Sequence, residues 1–180
     1  SNDMKKKITV IGGSGFIGTN LCKLLSLKNI DFEIIDLRKS KTFERKTKIA
    51  DVRDIDSLRK TISGDIVINL AAIHRDDVLD KNEYYKTNVL GAKNITTICS
   101  EKSINKIVFT SSVAVYGFAK SYTDERGAIS PFTHSGKTKY EAETIFKKWQ
   151  HNELNKLIII RPTVVFGAGN RGNVYNFFQY

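Results

Sequence analysis

The sequence contains few cysteines and histidines, and these shortages exclude two classes of protein. Its two cysteines, Cys22 and Cys99, lie far apart and form no Cys-x-x-Cys pair, which predicts core packing in a reducing compartment rather than a disulfide framework. His74, His134 and His151 show no metal-ligand spacing with one another or with the cysteines. We therefore expect neither a disulfide nor a metal site.

The sequence also lacks a hydrophobic run long enough to cross a bilayer, and its first residues lack a signal-peptide core. We therefore expect a cytoplasmic protein without membrane contact. Its 180 residues suffice for one domain with a substantial core. Residues 1–3 resemble a cloning remnant ahead of Met4, so residues 4–180 are expected to form a single domain.

Strand patterns and amphipathic helix patterns alternate along the chain, without internal repeats. Strands are predicted at residues 7–11, 32–35, 47–50, 65–70, 106–111 and 157–161. Helices are predicted after the glycine-rich run at 12–18, near 55–62, and at 82–103 and 130–152, with a further helix beginning at 174–180. This alternation predicts an α/β fold with a doubly wound parallel sheet of the Rossmann type.

The run Gly12-Gly13-Ser14-Gly15-Phe16-Ile17-Gly18 joins the first predicted strand to the first predicted helix. It fits two dinucleotide-binding registers, one that uses Gly12 and one that uses Gly13, each followed by Gly15 and Gly18. Backbone N–H groups in such a turn, together with the positive end of the helix, can approach a pyrophosphate closely. The predicted cofactor contacts here are Gly12, Gly15, Phe16, Ile17 and Gly18.

Asp36 closes the second predicted strand and lies 36 − 15 = 21 positions after Gly15. An acidic residue about 20 positions beyond the turn is the expected partner of the adenosine ribose hydroxyls. Its charge would repel a 2′-phosphate, whereas the following Arg38 and Lys39 would attract one. The carboxylate favours NAD over NADP, and Arg38 is a predicted cofactor contact.

The net charge of +10 raises the alternative of a nucleic-acid binder. The basic residues concentrate after Asp36, at Arg38, Lys39, Lys41, Arg45, Lys46 and Lys48. This segment contains Phe43 as its single aromatic residue and no recognisable nucleic-acid module. A solvated basic loop is the favoured interpretation.

Further motifs accompany the glycine-rich run and Asp36: Asp51-Val52, Asn69-Leu70-Ala71-Ala72, Asn88-Val89-Leu90-Gly91, Ser111-Ser112-Val113-Ala114-Val115-Tyr116-Gly117 and Arg161-Pro162-Thr163-Val164-Val165-Phe166-Gly167. With these motifs the chain resembles the NAD-dependent nucleotide-sugar epimerase/dehydratase family of extended short-chain dehydrogenases/reductases. The resemblance implies oxidation of a sugar hydroxyl by bound NAD and, in epimerases, return of the hydride to the opposite face. It implies a nucleoside-diphosphate sugar as substrate.

The same resemblance implies additional cofactor contacts at Asp51, Val52, Leu70, Ala71, Ala72, Asn88 and Lys139. Relatives have a C-terminal substrate-binding part, before which this chain is expected to be truncated. They also pair two long helices across a two-fold axis, which implies a possible homodimer through helices 82–103 and 130–152.

The implied catalytic residues are Ser112, Lys139 and Ser135, which occupies the position of the family's tyrosine, four residues before the lysine. An aliphatic hydroxyl is a far weaker acid than a phenol, so we expect impaired catalysis. Dehydratases of the family usually carry Asp-Glu where this chain has Val113-Ala114, which favours an epimerase or ketoreductase over a dehydratase. A non-catalytic dinucleotide-binding or regulatory protein and a sugar-nucleotide dehydratase or reductase are the alternatives.

Overall fold

The computed structural model of the protein describes residues 6–71, 81–111 and 134–161. Its strands are β1 (Lys7–Ile11), β2 (Asp31–Asp36), β3 (Thr47–Ile49), β4 (Ile66–Asn69), β5 (Lys106–Thr110) and β6 (Lys156–Ile160). They form one parallel sheet in the order β3-β2-β1-β4-β5-β6. Strands β2 and β3 lie on one side of β1, and β4, β5 and β6 lie on the other side, as expected for a doubly wound sheet.

The described helices are α1 (Phe16–Leu27), α2 (Ile55–Thr61), α3 (Lys81–Tyr84), α4 (Gly91–Glu101) and α5 (His134–Trp149). A π-helical segment, Tyr85–Leu90, joins α3 to α4 without a break, and a short 3₁₀ turn at Glu44–Lys46 precedes β3. The α/β fold class is confirmed. The single regular helix expected at 82–103 is wrong in detail, because six of its residues have the wider π geometry and it ends at Glu101.

Two hydrophobic clusters cover opposite faces of the sheet. One packs α1 against β1 and β2 through Leu21, Leu25, Val10, Phe32 and Ile34. The other packs α2, α4 and α5 against the opposite face through Leu58, Ile95, Ile98, Phe146, Ile35, Val67, Ile107 and Phe109. Alternate residues of β1, β2 and β4 therefore pack into different clusters, as the period of two in a strand dictates.

Both cysteines lie inside these clusters, Cys22 on α1 and Cys99 on α4. Burial raises the pKa of each thiol to about 12, so both stay protonated near neutral pH. They act as small apolar core residues rather than as reactive groups.

The buried carboxylate of Glu33 connects β2 to three other segments, namely β1, β3 and the loop after α2. Glu33 on β2 accepts hydrogen bonds from Ser63 and from Lys48 and pairs with Lys7 at 3.2 Å. Burial raises the pKa of Glu33, but the hydrogen bonds from Ser63, Lys48 and Lys7 outweigh that effect and bring the pKa below its ordinary value.

Several predicted features lie wholly or partly outside the described residues. Among them are Ala72, Ser112, the motifs at 111–117 and 161–167, the helix start at 130–133 and the helix at 174–180. Within residues 6–71, 81–111 and 134–161, no helix is long and apolar enough to span a membrane.

Candidate dinucleotide-binding cleft

A cleft of about 1190 Å³ opens at the carboxyl ends of the strands, where ligands bind in open α/β sheets. This volume slightly exceeds the roughly 300–1,000 Å³ of drug-sized ligand pockets, so it can hold an extended dinucleotide. Eleven predicted contact residues line it: Gly12, Gly15, Phe16, Ile17, Gly18, Asp36, Arg38, Asp51, Val52, Leu70 and Ala71. The sheet thus brings together residues from four separate sequence segments.

The turn between β1 and α1 depends on two glycines that have no room for a side chain. Gly12 has φ +81°, and a Cβ added there would lie 2.7 Å from the backbone nitrogen of Ala71. A Cβ on Gly18 would lie 2.4 Å from the Cα of Gly13, so this contact brings the start of α1 against the turn. The two glycines set the shape of the turn.

Gly15 has a different position, because a Cβ added there would meet only the Gly12 carbonyl oxygen, at 3.9 Å. Gly15 is the N-cap of α1 and supplies no side-chain cap, and the first turn of α1 contains no acidic residue. The N–H groups of that turn are therefore available to an anion in the cleft, where the helix dipole also favours negative charge. This open backbone fits the pyrophosphate of a dinucleotide.

Asp36 is tied to the glycine turn. One of its carboxylate oxygens accepts a hydrogen bond from the backbone N–H of Ser14 at 2.9 Å, and the other accepts one from Leu37 at 2.7 Å. The hydroxyl of Ser14 donates to the Arg38 carbonyl at 2.7 Å. Ser14 thus positions the carboxylate expected to meet the ribose, a role that the glycine pattern did not reveal.

Basic side chains surround the same end of the cleft. Lys23 of α1 and Arg38, Lys39 and Lys41 of the loop after β2 all line it. Four cations around one carboxylate make this end of the cleft electropositive, which suits a ligand that carries phosphates.

The next wall is formed by Asp51 and Arg53, in the loop after β3, and by Glu83 of α3. Arg53 donates from Nε to Oδ1 and from Nη2 to Oδ2 of Asp51, at 3.0 and 2.8 Å, and from Nη1 to Glu83 at 2.6 Å. The hydrogen bonds from Arg53 hold the pKa of Asp51 below its ordinary value. Asp51 is therefore an ionised acceptor in the cleft wall.

At the ends of β4 and β5 the residues that line the cleft are uncharged. The Asn69 side chain accepts from the Ala71 N–H at 3.0 Å, and Thr110 donates to the Asn69 carbonyl at 3.1 Å, which ties the two strand ends together. Ser111 is buried and lines the cleft, yet its hydroxyl has no hydrogen-bond partner among the residues that the structure describes. A buried hydroxyl without a partner is costly, so a bound ligand that met it would gain affinity.

Lys139 is buried on α5, with 1 % of its surface exposed. Burial lowers the pKa of its ammonium from 10.5 to about 8. Its neighbour Thr138 accepts a 3.0 Å hydrogen bond from the side-chain nitrogen of Asn88 in the π-helical segment. Within the described part of the chain, the amide oxygen of Asn88 is buried without a hydrogen-bond partner. Asn88 and Lys139 thus stand beside the cleft rather than among the residues that line it.

A buried ion pair connects α5 to the end of β6. Glu143, 2 % exposed, accepts from both Nε and Nη2 of Arg161, at 3.0 and 2.8 Å. It lies one helical turn after Lys139, so it fixes the orientation of the part of α5 that carries the lysine.

The other two predicted catalytic residues are Ser112 and Ser135. Ser112 lies outside the described residues. Ser135 lies on α5, one helical turn before Lys139, which is the spacing that the sequence predicted. Sequence reasoning did not identify Ser14, Arg53, Glu83 and Thr138, because the contacts Ser14–Asp36, Arg53–Glu83 and Asn88–Thr138 join segments that only the fold brings together.

Comparison with models of protein families shows which family the chain belongs to. The model of the NAD dependent epimerase/dehydratase family matches residues 8–178. The chain belongs to this family. The resemblance drawn from the motifs is confirmed, and epimerase/dehydratase membership extends over nearly the whole chain.

Two curated epimerases illustrate the similarity. The chain is 42% identical over 181 residues to N-acetyl-alpha-D-glucosaminyl-diphospho-ditrans,octacis-undecaprenol 4-epimerase of Escherichia coli O157:H7, covering 98% of this chain and 54% of that protein. It is 28% identical to UDP-glucose 4-epimerase of Vibrio cholerae, covering 94% of this chain and 55% of that one. The chain thus spans about half the length of these relatives.

Solved structures agree with the fold. UDP-glucose 4-epimerase from Brucella ovis, solved in complex with NAD, is 26% identical, with a TM-score of 0.74 over 87% of this chain and 51% of that one. Another UDP-glucose 4-epimerase structure matches with a TM-score of 0.74 and 25% identity, over 86% of this chain and 50% of that one. The Rossmann-type fold expected from the sequence is confirmed.

Proposed function

We propose that this chain is the NAD-binding part of an epimerase that acts on a sugar linked through a diphosphate. The observation that carries the proposal is the cleft itself, which is lined by the open backbone of Gly15 and by Asp36, whose carboxylate accepts from the Ser14 N–H. The similarity to two 4-epimerases supports the same reaction class.

The proposed cofactor contacts divide into three groups. The N–H groups at Gly15, Phe16, Ile17 and Gly18 would hold the pyrophosphate, and Asp36 would accept from the adenosine ribose hydroxyls. The remaining proposed contacts, toward the base and the nicotinamide end, are Gly12, Arg38, Asp51, Val52, Leu70, Ala71, Ala72, Asn88 and Lys139. Bound NAD supplies a hydride acceptor that can return the hydride to the same carbon.

Lys139 contributes a positive charge that is held out of water. Its pKa of about 8 keeps a large part of it protonated near neutral pH, so it can stabilise negative charge on a neighbouring oxygen. Ser112 would hydrogen-bond the reacting sugar hydroxyl. Ser135 lies one turn from Lys139 but has no phenol, so it cannot remove the hydroxyl proton efficiently.

A titration of the chain with NAD and with NADP tests the cofactor assignment. We expect NAD to bind more tightly than NADP, because Asp36 repels a 2′-phosphate. Calorimetry that detects neither dinucleotide at millimolar concentration would contradict the proposal.

Restoring the phenol tests the catalytic assignment. In the protein carrying this chain, Ser135→Tyr should raise epimerase turnover by about 100-fold or more, the contribution of a positioned general base. Ser135→Phe is the matched control, because it adds the ring without the hydroxyl. Equal turnover by the two variants would refute the role assigned to position 135.

The substrate has two candidate carriers. Nucleoside-diphosphate sugars follow from the family resemblance, and the Vibrio cholerae relative is a UDP-glucose 4-epimerase. The more similar Escherichia coli relative is named for an undecaprenol-diphospho sugar, which favours a lipid carrier. Parallel assays with UDP-N-acetylglucosamine and undecaprenyl-diphospho-N-acetylglucosamine separate the two carriers.

A non-catalytic dinucleotide-binding protein is the second candidate function, and Ser135 is the observation that favours it. Tight NAD binding without turnover of either sugar class, even in Ser135→Tyr, would select that alternative. The two buried free thiols suit a reducing, cytoplasmic location, and a homodimer remains a prediction that sedimentation can check.

A further inference from the structure

Six basic residues follow β2, and the fold divides them into two groups. Lys46 lies 4.4 Å from the centre of the Phe32 ring, and Lys48 pairs with the buried Glu33 at 3.1 Å, so these two are held against the sheet. The other four are exposed and form the basic patch: Arg38, Lys39, Lys41 and Arg45. In the described part of the chain, no residue of the basic patch has an ion pair shorter than 3.9 Å.

The backbone beneath the basic patch is fixed by internal contacts. The hydroxyl oxygen of Ser40, a residue that is 1 % exposed, accepts from the N–H of Phe43 at 3.0 Å. The hydroxyl of Thr47 donates to the Phe43 carbonyl at 2.8 Å, and the Phe43 ring packs edge-on against Phe32 with the ring centres 5.2 Å apart. The four cations therefore extend from one ordered loop, so a partner that meets them orders little additional backbone.

The basic patch lies at the carboxyl edge of the sheet, where the cleft also opens. It begins two residues after Asp36, the last residue of β2, and three of its four residues line the cleft. Strand β2 is three positions from β5 in the sheet order, which is about 15 Å at the usual strand spacing. A surface that contacts the basic patch is therefore also close to the mouth of the cleft.

Among large anionic partners, a membrane surface fits the basic patch better than a nucleic acid does. A single-stranded nucleic acid is held by aromatic rings on which its bases stack, but the aromatic ring of this loop, Phe43, is packed against Phe32. A duplex is read by a helix or a β-ribbon in its groove, whereas the patch lies on a loop. A membrane surface requires clustered cations and gains from an apolar side chain among them, and Leu37 beside Arg38 is 58 % exposed.

We propose that the basic patch docks the protein on an anionic membrane surface, with the mouth of the cleft close to lipid-linked sugars in that membrane. This inference rests on the lipid carrier in the proposed function, and it replaces the expectation of no membrane contact that was drawn from the sequence. The contact is made with the headgroups, so it needs no helix that spans the membrane.

The test is sedimentation of the full 180-residue chain with vesicles of phosphatidylcholine alone and of phosphatidylcholine mixed with phosphatidylglycerol. We expect binding to the mixed vesicles only, and we expect it to weaken as the salt concentration rises. The combined variant Lys39→Gln, Lys41→Gln and Arg45→Gln should bind about 100-fold more weakly, because each cation near an anionic membrane is worth about fivefold in affinity. Arg45→Gln alone, which leaves the cleft lining intact, should weaken binding about fivefold.

The matched control removes the same charge from the opposite edge of the sheet. Lys106 and Lys156 are the first residues of β5 and β6, and Lys6 directly precedes β1. The neighbouring ammonium groups of Lys6 and Lys156 lower the pKa of Lys106, so these three cations also lie close together. Their combined replacement by glutamine should leave vesicle binding within about twofold of that of the unmodified chain, because a docked carboxyl edge holds them more than a Debye length from the membrane.

Equal losses in the two triple variants would show that net charge alone drives binding, and would overturn the inference. An unmodified chain that ignores the mixed vesicles, or that binds DNA or RNA more tightly than these vesicles at the same salt concentration, overturns it as well. Thermal unfolding shows whether each variant is folded, and where the triple variant is not, unchanged binding by Arg45→Gln overturns the inference. Calorimetry with NAD on the same proteins tests the proposed function separately, since a chain that binds NAD but no vesicles contradicts only the docking.

Discussion

The candidate site has two ends, the glycine-turn end of the cleft and the Lys139 end beside the cleft, and the two are built from different kinds of contact. At the glycine-turn end the decisive atoms are backbone atoms, such as the Cα of Gly13 against Gly18 and the N–H of Ser14 on Asp36. At the Lys139 end they are side-chain atoms brought from distant segments, as in the pair of Asn88 with Thr138.

This difference determines how well each end tolerates an amino-acid substitution. A backbone contact has no rotamer to adjust, so a single added methyl must move the chain itself. A side-chain pair can be replaced by a similar shape, and the loss is then limited to the hydrogen bond and the desolvation of its partner. The following substitutions measure that contrast.

The largest effect is expected at Gly18. Gly18→Ala should lower the free energy of unfolding by about 3 kcal/mol, because the new Cβ would overlap the backbone of Gly13. Gly15→Ala is the matched control, since Gly15 has φ −77° and open space around its Cβ position. It should cost less than about 1 kcal/mol of stability yet weaken NAD binding about tenfold. Urea unfolding and calorimetry measure the two effects, and equal stability losses would break the contrast.

The next effect concerns Lys139 and has a defined pH dependence. The folded pKa of about 8 lies below the ordinary 10.5, so between these pH values the unfolded chain binds a proton that the folded protein has released. The unfolding free energy of the unmodified protein should therefore rise relative to that of Lys139→Met, by about 3 kcal/mol in total, as pH increases through this window.

Urea unfolding of both proteins at pH 7.5 and pH 10 checks this expectation. Lys137→Met changes an exposed lysine on the same helix and should show no such trend relative to the unmodified protein. A constant difference between Lys139→Met and the unmodified protein across the window would show that Lys139 is not desolvated.

A smaller effect is expected for the hydrogen bond between Asn88 and Thr138. Thr138→Val keeps the shape but leaves the Asn88 amide nitrogen without this acceptor, in addition to its unpartnered oxygen. The loss should be about 2 kcal/mol in urea unfolding. Thr138→Ser retains the hydroxyl and should recover most of it, whereas similar losses for both variants would point to packing instead.

The smallest effect is expected for Glu33, which lies on β2, the strand that ends at Asp36 beside the glycine turn. Glu33→Gln should lower the unfolding free energy by about 1 kcal/mol at pH 7. Because the folded pKa of Glu33 lies below its ordinary 4.5, its contribution is present above that value and disappears as pH falls through the folded pKa.

The difference in unfolding free energy between the unmodified protein and Glu33→Gln should therefore become smaller between pH 7 and pH 3, which urea unfolding at the two pH values measures. Glu44→Gln is the control, since Glu44 is exposed and its ion pair with Lys39 is long, at 3.9 Å. A loss of equal size in Glu44→Gln would show that Glu33 acts through net charge rather than through its buried contacts.

Much of the glycine-turn end could be predicted before the structure, because its determinants are close in sequence and periodic. The strand 7–11, the glycine register and the spacing to Asp36 each follow from local patterns, and the structure brings them together. The π-helical geometry at Tyr85–Leu90 could not be predicted in this way, since its residues have an ordinary helical pattern.

The sequence alone determined the alternation of strands and helices, the position of the turn and the carboxylate that accompanies it, because each depends on side-chain size, backbone freedom and spacing along one short segment. Only the tertiary structure decided that Ser14 holds Asp36, that Arg53 joins Asp51 to Glu83, and that Lys139 is buried enough to lower its pKa. These features depend on which distant segments the parallel sheet brings within hydrogen-bond reach and on how much water they exclude, and no local pattern encodes either.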